Sequence, residues 1–126
     1  MFLLAGLIPG LLALESGRGP ALAAGDGVRV LMVEEAGCRF CARFDAEVGK
    51  VYGASAEGRF APLVRVGRNA PELAGLKPAP YTPTFIVLDN GVEKGRITGY
   101  PGEIFFWQEL AELLLKVGYR SEASAE

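Results

Sequence analysis

Residues 37–41 read GCRFC, and they hold the only two cysteines of a 126-residue chain that has no histidine. The stretch just before it, Val28 to Val33 (VRVLMV), is short, apolar and β-branched, which predicts a strand covered on both faces. From Cys38 onward the spacing changes. Cys41, Phe44, Val48, Val51 and Tyr52 recur at intervals of three and four, which predicts a helix with one buried face. The cysteine pair therefore opens a helix directly after a strand. Free N–H groups and the helix dipole favour a thiolate there. A CxxC thiol in such a position has its pKa lowered from ~8.5 to roughly 3.5–7. Arg39 adds a cation beside Cys38. Cys38 is thus the expected nucleophile, and Cys41, one turn further in, the expected resolving thiol. A thiolate formed in this way needs no histidine to attack a disulfide.

What is missing narrows the rival readings of GCRFC. A structural zinc site wants four ligands, and the chain offers two cysteines and no histidine. Covalent haem attachment wants CxxCH, and residue 42 is alanine. Copper(I) held by the two thiolates with Met32, and a purely structural disulfide closing a very small loop, remain as non-enzymatic alternatives. No cofactor other than the cysteine pair is expected.

The rest of the chain continues the alternation of strands and helices. Ala61 to Val66 predicts a second strand, and Pro71 to Leu76 a short helical turn. Lys77 to Pro83 (KPAPYTP) is loop by its three prolines. Thr84 to Leu88 predicts a third strand, Asp89-Asn90-Gly91 a hairpin turn, and Lys94 to Tyr100 the returning strand. A last helix is expected over Glu103 to Val117, with Ile104, Trp107, Leu110, Leu114 and Val117 on its inner side. Trp107 and one of Phe105 and Phe106 suit the core. The order is β-α-β, a proline-rich link, then β-β-α. This predicts an α/β fold with one mixed four-stranded sheet and helices on both faces. Thr82-Pro83 stands at the entrance of the third strand. Its proline is either an ordinary trans loop residue or a cis residue that turns the backbone of Thr82 toward an extended substrate chain.

Length and composition fit one small domain. Half the residues are apolar, enough for a core, and the net charge of −2 with scattered Lys and Arg excludes a nucleic-acid surface. Phe2 to Leu14 is uncharged but only 13 residues long, too short to span a bilayer. Ala21-Leu22-Ala23 follows with small residues suited to signal peptidase. The expected organisation is an export signal at residues 1–24, a folded domain at 25–119 and a loose tail at 120–126. The basic n-region of a signal is absent, so an uncleaved anchor is the alternative. Cleavage removes one acid and one base (Glu15 and Arg18), so the charge stays at −2. Nothing marks an oligomer, and a monomer is expected.

A strand, a CxxC opening a helix, and a distant Thr82-Pro83-Thr84 before a ββα end resemble the thioredoxin superfamily over Val28 to Val117. MVEEAGCRFCARFDAEVGKVY, APLVRV and TPTFIVLDNGVEKGRITGYPGEIFFWQEL are similar to the SoxS-type periplasmic thioredoxins of bacterial thiosulfate oxidation. That resemblance implies a periplasmic thiol–disulfide oxidoreductase with Cys38 and Cys41 as the redox pair and Pro83 as a cis-proline. It implies a protein substrate with an oxidised or capped cysteine, such as the sulfur-carrier protein, and a membrane thiol-electron transporter as donor. The common thioredoxin motif is WCGPC. Here Gly37 replaces the tryptophan, and Arg39 and Phe40 replace Gly-Pro. The buried aspartate that assists the resolving thiol in thioredoxins falls on Met32, leaving Glu34 or Glu35 as substitutes. Phe40 is expected to meet partners or to pack on the helix. A disulfide-forming oxidase is the alternative direction. Against it, DsbA-like oxidases carry a helical insertion for which Ala42 to Thr84 has no room.

Overall fold

The structure, a computed structural model, describes residues 27–121. The expected leader at residues 1–24 and all but the first two residues of the expected tail lie outside that range. Strands β1 (Val28–Glu34), β2 (Leu63–Gly67), β3 (Thr84–Asp89) and β4 (Val92–Thr98) form one sheet in the order β2-β1-β3-β4. β1 runs parallel to β2 and antiparallel to β3, and β3 is antiparallel to β4. The two central strands are the two continuous apolar runs, and both are buried along their length. The edges are mixed. Asn90 (φ 51°) and Gly91 (φ 84°) make a two-residue turn with left-handed backbone at both positions. Because this turn is so tight, β4 starts at Val92, two residues earlier than the sequence suggests.

Side chains alternate across β1 with period two. Val30 and Met32, with Phe85, Val87 and Ile97, face the main core. Leu31 and Val33, with Val66, Ile86 and Leu88, face the other side. Helical cover is present on both faces but unequally. The main core lies under the CxxC helix and the C-terminal helix α4 (Glu103–Leu115). The second face is covered by a single 3-10 turn (Pro71–Leu73) and the stretch from Ala70 to Ala79. Phe44, Phe85 and Phe106 pack at the centre, with ring centroids 4.8–5.2 Å apart. Trp107 stacks on Tyr52 at 5.8 Å.

The CxxC helix is α1 (Arg39–Phe44), a π-helical turn (Asp45–Gly49) and α2 (Lys50–Tyr52) in sequence. The π turn takes up an extra residue, so less rotation accumulates along it. Tyr52 is buried as expected, but Val51, expected on the same face, is turned out and 52% exposed. The face of α4 also differs from expectation. Phe106, Leu110 and Leu114 form its buried stripe, while Ile104 is 70% exposed. At about 100° per residue, Ile104 lies about 120° from the middle of that stripe. A short helix α3 (Ala56–Phe60) was not foreseen; five residues are too few for a period. It is capped by Ser55, whose hydroxyl accepts from Gly58 N–H at 2.9 Å and donates to the Tyr52 carbonyl at 2.6 Å.

Candidate active site

β1 delivers the chain to the turn Glu35–Gly37, where Gly37 has φ 77°. That left-handed backbone suits glycine and explains why no bulky residue precedes the first cysteine. Cys38 is the N-cap of α1. Its backbone is extended, and its Sγ accepts a hydrogen bond from Cys41 N–H at 3.0 Å. The two cysteines are joined as a disulfide, with Cα atoms 5.2 Å apart. The first turn of α1 holds no acidic residue, so nothing there offsets its positive end.

The two sulfurs are not equivalent. Cys38 is half-buried at the surface of the core, whereas Cys41 is 5% exposed among Val30, Met32, Phe44 and Phe85. The buried residues clustered with Cys41 are apolar or tyrosine. Met32 is fully buried there, at the position that the assisting aspartate takes in thioredoxins.

Glu34 and Glu35 are both engaged elsewhere. Glu34 pairs with Arg65 at 3.0 Å, and Arg65 also reaches Asp45 in the π turn at 2.6 Å. Glu35 accepts from Arg68 at 2.9 Å and from the Thr82 hydroxyl at 3.0 Å. Those two bonds, Arg68 first, hold its carboxyl below the usual range. Arg39 is exposed beside the disulfide.

The start of β3 lies beside the end of β1, through the Val33–Thr84 pair. The Thr82–Pro83 peptide is cis, Pro83 is buried, and its carbonyl accepts from Gly99 N–H at 2.8 Å. Thr82 N–H and C=O make no main-chain hydrogen bond among the described residues. Phe40, Tyr81, Thr82, Thr98, Gly99, Tyr100 and Pro101 line an open hollow of about 450 Å³. The structure thus brings Phe40 of the CxxC turn and Thr82 of the proline loop to one groove. Phe40 is 50% exposed and Tyr81 66% exposed. Tyr100 forms the floor. Its hydroxyl donates to Glu47 at 2.6 Å, and Arg43 lies 5.9 Å from its ring centroid. Sequence reasoning missed Tyr81 and Thr98 as groove residues, and Arg65 and Arg68 as partners of the two glutamates. In the sequence Tyr100 is legible only as the end of the returning strand.

Among the described residues no group of three or more metal-binding side chains is present, and no helix is long and apolar enough to cross a membrane. No protein-family model and no curated protein matches the chain. Solved structures do. The periplasmic thioredoxin SoxS from Paracoccus pantotrophus, in its reduced form, is 44% identical with a TM-score of 0.67. The match covers 71% of this chain and 97% of that one. A thioredoxin from Thermus thermophilus is 26% identical with a TM-score of 0.60, over 78% of this chain and 82% of that one. A thioredoxin-fold protein from Helicobacter pylori shares the fold at 18% identity and a TM-score of 0.56, over 81% of this chain and 79% of that one. With this fold, this pair of cysteines and a relative of this identity, the chain belongs to the thioredoxin superfamily and is a thiol–disulfide oxidoreductase.

Proposed function

We propose that the protein is a periplasmic dithiol reductant that frees an oxidised or sulfur-capped cysteine on a protein partner. The observation that carries this reading is the asymmetry of the pair. One sulfur caps the helix two residues before Phe40, which lines the open groove, and the other is buried one turn behind it.

In the reduced protein, the Cys38 thiolate attacks the partner's disulfide sulfur. A Cys38–partner bond forms and the capping thiolate leaves. Cys41 then loses its proton and attacks Cys38 Sγ. The partner cysteine leaves as a thiolate, and the Cys38–Cys41 disulfide seen in the structure forms. Two electrons pass to the partner, and an external dithiol, supplied through a membrane thiol-electron transporter, returns the pair to its reduced state. Thr82 lines the groove in which the partner's extended chain lies and Pro83 holds it from behind at the start of β3, with Thr82 N–H and C=O available to pair with the chain. Arg39 and Phe40 face the same partner.

The SoxS likeness supports the compartment, and the sequence resemblance to SoxS-type thioredoxins implies the sulfur-carrier protein of thiosulfate oxidation as the partner. The reductive direction is supported by the segment between α2 and β3, which holds, besides β2, one five-residue helix and one 3-10 turn where DsbA-like oxidases insert a helical domain. The test is single-turnover reduction of a cysteine-peptide mixed disulfide. Cys38→Ser should abolish it, and Cys41→Ser should stop at a stable adduct on Cys38. Full reduction by the Cys38→Ser variant would sink the proposal.

A further inference from the structure

The loop before β3 has an unusual problem of support. Residues 77–83 contain three prolines, which have no N–H to give to a ladder or a turn. Side chains from elsewhere collect its carbonyls instead. Arg96 donates to Pro78 O at 3.0 Å and Lys77 O at 3.3 Å, and is itself held by Glu93 at 2.6 Å and 2.7 Å. Arg68 donates to Pro80 O at 3.0 Å through one nitrogen and to Glu35 Oε1 at 2.9 Å through the other. Glu35 Oε2 accepts from Thr82 Oγ1 at 3.0 Å. One carboxylate, in the turn that leads to Cys38, thereby ties both ends of the Pro80–Thr82 stretch.

We infer that Glu35 is a positioning residue for substrate: it anchors Thr82 by the hydroxyl and leaves the Thr82 main chain facing the groove for a partner strand. This rests on the reading of Thr82 as a substrate-pairing residue given above. The link spans exposed side chains, 43% for Glu35 and 41% for Arg68. Exposed ion pairs add little to stability. Its value therefore lies in where it holds Thr82, and Glu35 acts on binding of the chain rather than on the thiols.

The experiment compares kcat/KM for two substrates, a cysteine-peptide mixed disulfide and a small aromatic disulfide with no peptide chain. Wild type, Glu35→Ala, Thr82→Val, the double variant and Glu35→Gln are measured, each checked for an unchanged melting curve. The peptide-to-small ratio should fall about fivefold in each alanine or valine single variant, the scale of one net hydrogen bond. It should fall no further in the double variant, because both changes remove one contact. Glu35→Gln keeps an oxygen for Thr82 and should recover most of the ratio. Equal losses on both substrates would mean that Glu35 acts on the cysteines, and would overturn the inference. So would an unchanged ratio in Glu35→Ala or additive losses in the double variant. A wild type that reduces neither substrate would overturn the proposed function itself, and this inference with it.

Discussion

Phe40 offers a direct measure of how much a partner gains from the groove beside the disulfide. Its ring is 50% exposed and forms one wall of the hollow whose other members include Tyr81 and Thr82. A phenylalanine side chain presents 150–250 Å² in all, so roughly 100 Å² of it is open for a partner to cover. At about 25 cal/mol per Å², complete cover is worth about 2.5 kcal/mol. A partner bound edge-on covers part of that, and 1.4 kcal/mol is about a factor of ten. Phe40→Ala should therefore lower kcat/KM for a cysteine-peptide mixed disulfide about tenfold, mainly through KM. A small aromatic disulfide, which meets less of the groove, should lose less. Stability should hardly change, because the ring is not part of the core. Stopped-flow reduction of the two substrates measures the difference. A change of less than about twofold on the peptide would refute the claim that this groove contributes binding energy.

Gly58→Ala reverses a familiar sign: alanine normally stabilises a helix over glycine, but a Cβ here would run into the Tyr52 carbonyl, with its carbon only 2.7 Å away. Denaturant titration should show a loss of about 2 kcal/mol, as for other overpacked sites. Tyr52→Phe removes the hydroxyl that donates to Ala61 O at 2.7 Å in the core, and should cost about 1–2 kcal/mol by the same titration. Glu47 is held below the usual carboxylate range by the Tyr100 hydrogen bond first and the Arg43 bond after it. A lowered folded pKa contributes stability above the unfolded value of 4.5 that is lost as pH falls through the folded one. Tyr100→Phe should therefore lower the melting temperature most at neutral pH and flatten the acid side of the profile, the two proteins converging as pH falls below that value.

The parts of the fold that could be read in advance are those governed by local spacing. The continuous apolar runs at Val28 and Thr84 became the two central strands, and Asn90-Gly91 became the turn its backbone freedom implies. CxxC at the strand-to-helix junction put one sulfur at a cap and the other in the core. What escaped was set by tertiary contacts. Past the π turn Tyr52 keeps its expected inward place while Val51 is turned out, and a five-residue helix left no period to detect. The scattered arginines read as solvated charges. Arg65 instead joins β2 to Glu34 and the π turn, while Arg68 and Arg96 hold up a loop whose prolines cannot hold themselves. No spacing rule pairs Glu35 with Thr82 across 47 residues.

The central claim is that Cys38 carries a partner's sulfur and Cys41 releases it. Expression of Cys41→Ala in the native host, acid quenching and mass analysis of what is bound to Cys38 tests both halves at once. The account predicts one predominant protein adduct, joined through a cysteine, released by dithiothreitol and absent from the Cys38→Ala, Cys41→Ala double variant. An unmodified Cys38, or an adduct that survives in the double variant, would contradict it.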